Sequence, residues 1–273
     1  MERGQTSPLL NLPQEVRDLI YEYALTENNG RTIDDQNTSA HRRVKRQATA
    51  HERWLWSIHY PATAPHSTYL SILSCNRQLR DEIREHVTQL QKARPPTAKL
   101  LLVMAYPDLW PSWHHVPGPP DQIKTLDILV KVDHMYHPAF MTHGPHNAIL
   151  TTVFEIVKRF CYLGPHLARP SVLRQPLQLI TVRITMAPPV PFEEMTHVYG
   201  FPKPQLEALF REFKMLLRRM CTSGILFDAV HTFEVRVVGS EWERIFTTTK
   251  RGHEDDFAFF NGGGYRWERE ESP

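Results

Sequence analysis

The chain has 273 residues, 41% of them hydrophobic, which is enough apolar material for a core in one or two domains. Thirty-two Lys and Arg against thirty Asp and Glu leave a net charge of +2, so no global electrostatic force draws it to nucleic acid, an acidic substrate or an anionic membrane. Cys75, Cys161 and Cys221 lie far apart without a CxxC pair, the opening Met1 to Ser7 is polar, and no segment approaches the roughly 20 apolar residues of a membrane span. These features point to a reducing compartment, cytoplasmic or nuclear, and away from secretion and membranes.

In chain order, the first predicted element is a helix from Leu12 to about Leu25. Pro13 suits a first turn, where an N–H would be unpaired anyway, and Glu15 complements the positive helix start. Val16, Leu19, Ile20 and Tyr23 recur at three- and four-residue steps as one apolar stripe, with Gln14, Arg17, Asp18 and Glu22 largely opposite, so the stripe must pack on something. From Thr26 to about Ser67 the periodicity is lost and the residues are mostly polar, which reads as a mobile insertion with one short anchored piece. Helical spacing returns with Leu70, Leu73, Leu79, Ile83 and Val87, until Pro95 and Pro96 stop it.

The period then shortens to two. Lys99 to Tyr106 is a continuous apolar run, and Thr125 to Asp133, Ile180 to Met186 and Thr232 to Val237 alternate as half-buried strands. Asn147 is the candidate cap of a helix whose Ile149, Leu150, Val153, Phe154, Val157 and Phe160 form one apolar face, ended at Gly164 and Pro165. Pro204 begins another, with Leu206, Leu209, Phe210, Phe213, Leu216, Leu217 and Met220 on one side and Gly224 at its end. Strands joined by helical connections of this length pair in parallel through crossovers. The expected fold is therefore α+β or α/β, with a helical N-terminus before a mostly parallel or mixed sheet and its packed helices. The boundaries fall at residues 8–94 for the helical region, with the insertion at about 26–67, at 95–250 for the α/β body, and at 251–273 for a loose tail.

The stretch Leu12-Pro13-Gln14-Glu15-Val16-Arg17-Asp18-Leu19-Ile20-Tyr21 resembles the start of an F-box. Ile72-Leu73-Ser74-Cys75-Asn76-Arg77-Gln78-Leu79-Arg80-Asp81-Glu82 is similar to the second half of the pattern in many fungal F-box-like proteins, whose downstream α/β region is uncharacterised. The resemblance covers about a quarter of the chain, and the two helical pieces stand apart where an ordinary F-box is continuous. It implies docking on the Skp-type adaptor of a cullin-RING ubiquitin ligase through Leu12, Pro13, Glu15, Val16, Leu19 and Ile20, with the α/β body holding a target protein. Physically, such anchors suit helix-in-groove recognition, while the same stripe could instead cover the chain's own sheet. Tyr106, Trp110 and Trp113 are the candidate target-facing aromatics.

Other constellations are weaker. Arg42-Arg43-Val44-Lys45-Arg46 has the density of a nuclear-import or phosphate-binding patch, but no nucleic-acid-binding signature accompanies it, which argues against nucleic acid as a partner. Asp133, His134, His137, His143 and His146 offer metal chemistry without a spacing that aims them at one point, so no metal and no cofactor is expected. No nucleophile elbow, Walker loop, dinucleotide fingerprint or His-Glu-x-x-His helix is present. The expected function is a protein-interaction module rather than an enzyme. The alternatives are an F-box-like scaffold without ubiquitin coupling, or a small enzyme with a site at the strand C-terminal ends near Asp133, His134, Met186 to Phe192 and Gly239.

Overall fold

The computed structural model describes residues 8–26, 43–47, 57–61, 77–93, 96–105, 108–117, 120–133, 145–167, 176–187, 203–238, 243–250 and 254–262. After a 3₁₀ turn at Pro8–Asn11 come α1 (Gln14–Thr26), β1 (Arg43–Gln47), β2 (Ser57–Pro61) and α2 (Arg77–Ala93). Then follow β3 (Thr97–Ala105), β4 (Asp108–His115), β5 (Thr125–Asp133), α3 (Pro145–Leu163), β6 (Leu179–Ala187), α4 (Lys203–Thr222), β7 (Val230–Val237), β8 (Glu243–Thr247) and α5 (Glu254–Gly262).

All eight strands form one mixed sheet in the order β1-β2-β4-β3-β5-β6-β7-β8. Its centre, β3-β5-β6-β7, is parallel, with α3 and α4 as the crossovers from β5 to β6 and from β6 to β7 and with β4 between β3 and β5 in sequence, and β3/β4, β7/β8 and β1/β2 are antiparallel. The register stacks apolar rows across that centre: Leu100, Ile128, Ile184 and Val235 stand side by side, next to Leu102, Val130, Met186 and Val237. Those rows join buried residues of α3 and α4 in one core. The opposite face carries two polar rows: Thr97, Thr125, Thr181, Thr232 and Thr247, then Lys99, Asp127, Arg183 and Glu234 with alternating charge. Cross-strand neighbours of opposite charge attract, and Arg183 Nε meets Glu234 Oε2 at 2.6 Å with Asp127 Oδ1 at 3.6 Å from its Nη1. Burial outweighs the pull of Arg183 and raises the Asp127 carboxyl above its ordinary value.

Helix ends fall where left-handed backbone was expected. Gly164, at φ 63°, follows α3, and Gly224, at φ 84°, lies just past α4, a conformation that costs a side-chain-bearing residue Cβ crowding. The expectation of a single apolar face on α3 is corrected, because residues Thr151 through Cys161 are buried all round, Glu155, Lys158 and Arg159 included. Two of those charges meet partners: Arg159 Nε lies 3.9 Å from Glu155 Oε2, its Nη1 donates to the Leu167 carbonyl at 3.3 Å, and the guanidinium lies over the Tyr60 ring.

Two further expectations change. The insertion at 26–67 contributes β1 and β2 to the body's sheet, with Ile58 and Tyr60 in its core, so the division at residue 95 does not bound the sheet. The tail from Arg251 is not loose throughout: α5 packs on α4, with Phe260 buried, Arg219 Nε 2.7 Å from Asp256 Oδ1, and the Arg219 guanidinium 4.6 Å from the Phe259 ring centroid. β4, Asp108–His115, holds Pro111 opposite Leu102 of β3. Proline removes a ladder donor, yet β2 accompanies β4 only along Ser57 and Ile58, opposite Asp108 and Leu109, so Pro111 sits beyond that pairing, where a strand tolerates it.

Candidate functional site

Helix α1 begins where the Pro13 carbonyl accepts the Val16 and Arg17 N–H groups, each at 3.1 Å. At 3.6 residues per turn, Arg17, Asp18 and Tyr21 project from one side and Val16, Leu19, Ile20 and Tyr23 from the other. The side that meets α2 is the first. Tyr21 is buried with Leu79 and Ile83 in a small cluster, separate from the sheet core, against which Leu9, Leu10 and Val87 pack.

Charge pins this contact. Arg17 grips Glu82 side-on, Nε to Oε2 at 2.9 Å and Nη2 to Oε1 at 3.1 Å, a bidentate geometry that fixes direction as well as distance. The same guanidinium donates to the Leu12 carbonyl and the Gln14 side chain, tying the helix start to the pair. Tyr21 Oη donates to Glu82 Oε2 at 3.0 Å and Gln78 Nε2 to Oε1 at 3.2 Å. His86 Nδ1 lies 3.6 Å from Asp18 Oδ1 across the same interface. Burial disfavours the Glu82 carboxylate, but the hydrogen bonds from Arg17, Gln78 and Tyr21 outweigh it and hold the group below its ordinary value. Burial, followed by the bond to Glu82, pushes the Tyr21 phenol up to about 12.

The consequence lies on the far side of α1. Leu12, Val16, Leu19 and Ile20 are all exposed, from 37% for Leu12 to 66% for Leu19, and Pro13 and Glu15 are exposed with them. All six candidate docking residues are thus exposed, and the apolar stripe is not buried against the chain's own sheet. Beside the ion pair, Arg77, Gln78, Asp81, Glu82 and Glu85 line an open, largely acidic cleft of about 580 Å³ on α2. Arg17, Tyr21 and Glu82 went unassigned in the sequence, where spacing alone matches Arg17 with no partner 65 residues away.

No family model, curated protein or solved structure matches the chain.

The remaining candidates divide. Trp113 is half-buried against the core, its Nε1 donating to the Pro165 carbonyl at 2.9 Å and its ring meeting Phe160 with centroids 5.3 Å apart. Trp110 is half-buried and stacks on His59 at 4.0 Å and 11°, while His59 Nε2 lies 2.8 Å from Asp108 Oδ1. Tyr106, His134, His137, His143, Phe192 and Gly239 lie outside the described residues. Among the described residues, no group of three or more His, Cys, Asp or Glu could hold a metal ion, and no helix is long and apolar enough to cross a membrane. Cys161 and Cys221 are buried, and burial pushes each thiol up to about 12, which keeps them as inert core residues.

Proposed function

We propose that the protein is an interaction module of the F-box-like type, a substrate receptor that docks on the Skp-type adaptor of a cullin-RING ubiquitin ligase through α1 and holds a target protein on its α/β body. One observation carries this reading: α1 is fastened to α2 by its polar side and turns its apolar stripe outward. An amphipathic helix ordinarily buries that stripe. Here the Arg17–Glu82 pair and Tyr21 hold the helix in the reverse sense, which leaves Leu12, Val16, Leu19 and Ile20 as preset anchors for a partner's groove. Preset anchors lower the ordering cost of association. The resemblance of Leu12 to Tyr21 to an F-box start supplies the identity of the partner.

The test is co-purification of the full-length protein with a Skp-type adaptor, beside the Leu12→Ala, Pro13→Ala double variant and Leu19→Asp. The expected outcome is capture by the wild type, loss of capture in both variants, and unchanged thermal stability, because these side chains are exposed. No capture by the wild type sinks the reading; equal loss of binding and stability shows that the stripe is structural.

A further inference from the structure

The outer edge of β8 supports an inference independent of α1. β8 ends the sheet, and Glu243, Arg244 and Ile245 are exposed in succession, Ile245 at 65%. Edge strands are templates for pairing, and proteins blunt them with lysine, proline or bulges. The opposite edge, β1, has the sequence Arg43-Val44-Lys45-Arg46-Gln47, which carries three cations in five residues and is self-repelling against a second copy. β8, Glu243-Arg244-Ile245-Phe246-Thr247, has one charge of each sign and no lysine or proline.

Backbone parity decides how β8 could pair. The Thr248 N–H donates to the His231 carbonyl at 2.9 Å, continuing the antiparallel register in which Thr247 faces Thr232 and Phe246 faces Phe233. Because the hydrogen-bonding direction alternates along a strand, Thr248, Phe246 and Arg244 present their main-chain groups to β7, and Glu243, Ile245 and Thr247 present theirs outward. A two-fold axis relating antiparallel copies of β8 must therefore set outward residues against outward residues. Centring it on Glu243 opposes two carboxylates, and pairing Glu243 with Ile245 opposes two Arg244 guanidiniums. Axes at Phe246 or Thr247 oppose no like charges within β8 but set Ile245 against a threonine, whereas an axis at Ile245 sets Arg244 against Phe246, Glu243 against Thr247 and Ile245, the most exposed apolar side chain of the strand, against its own copy. Each outward pair then exchanges two main-chain hydrogen bonds.

We infer that β8 is a self-association edge, through which two copies of this chain join their sheets antiparallel about Ile245. An isologous contact of this kind closes on itself as a dimer and leaves the basic β1 edges outermost. The α1 stripes stay free in both copies.

Analytical ultracentrifugation of the full-length protein tests this, with Ile245→Lys, Ile245→Cys and Leu19→Asp beside it. The wild type is expected to shift from monomer to dimer as concentration rises. Ile245→Lys is expected to lose the dimer with unchanged thermal stability, since residue 245 is exposed. Ile245→Cys is expected to give a disulfide-linked dimer on mild oxidation, because the axis brings the two copies of that position together. Leu19→Asp is expected to dimerise like the wild type. A wild type that stays monomeric overturns the inference, as does a dimer abolished by Leu19→Asp but not by Ile245→Lys, which would place the contact on α1.

Discussion

Removing the Arg17 guanidinium leaves the Glu82 carboxylate, only 17% exposed, with the neutral donors Gln78 and Tyr21, while burial continues to oppose its charge. Hydrogen bonds to a charged group contribute about 1.5–3 kcal/mol each. Arg17→Ala is therefore expected to loosen α1 from α2 by about that much, speeding amide exchange in residues 14–26 by roughly ten- to a hundredfold at about 1.4 kcal/mol per decade. Unchanged exchange would show that Tyr21 packing alone holds the helix. The same residues give this contact a pH window. Glu82 is held below its ordinary value of 4.5, so its contribution is complete above that value and is lost as the pH falls through the lower folded value. Tyr21 is raised from 10.0 to about 12, so its contribution is complete below pH 10 and lost as the pH rises through about 12. Amide exchange of α1 against pH should show both limits, and Tyr21→Phe should remove the alkaline one. The outward stripe was legible in the sequence as a run of apolar residues at helical spacing. Its direction was not, because periodicity shows which residues share a face, and only the Glu82 partner shows which face is buried.

Elements came through where their residues are locally consistent. Thr125 to Asp133 alternates apart from Leu129 and is β5 residue for residue, and Pro204 and Gly224 bracket α4 to within two residues. The missed elements lack a local signal. β4 holds Pro111 and two tryptophans, and what makes it a strand is its pairing with β3. In β8 only Phe246 is buried, and α5 carries three acidic residues and little amphipathic pattern. The glycine-rich sequence that closes α5 reads as loose tail, yet Glu254, Asp255 and Asp256 fall in the first turn, where negative charge is stabilised by the positive end of the helix dipole. Burial of Phe260 fastens the helix to the core, at 1% exposure. Phe260→Ala is expected to cost about 3–5 kcal/mol. At about 2–4 °C per kcal/mol for a chain of this size, calorimetry should find the melting temperature lowered by roughly 6–20 °C. A loose tail would give no change.

At the scale of the molecule, the segment between α1 and α2 is where the sequence and the fold diverge most. Polar composition and missing periodicity mark an insertion, which predicts that excising it leaves the body intact. The sheet order says otherwise, because β2 lies beside β4, and its Ile58 and Tyr60 are each 1% exposed within the main core. Five residues of alternating burial are too short for a periodicity to stand out, and the pairing that gives them meaning is with β4, about fifty positions downstream. Ile58→Ala should then destabilise the whole α/β body by about 2–5 kcal/mol, whereas a change within a dispensable loop would stay within about 0.5 kcal/mol. Chemical denaturation separates the two, provided that it is followed by a probe of the sheet remote from Ile58, such as amide exchange in β6 and β7. Loss of protection there means that the hairpin folds with the body. It would also mean that the chain between α1 and α2 is tied to the sheet at residues 43–47 and 57–61.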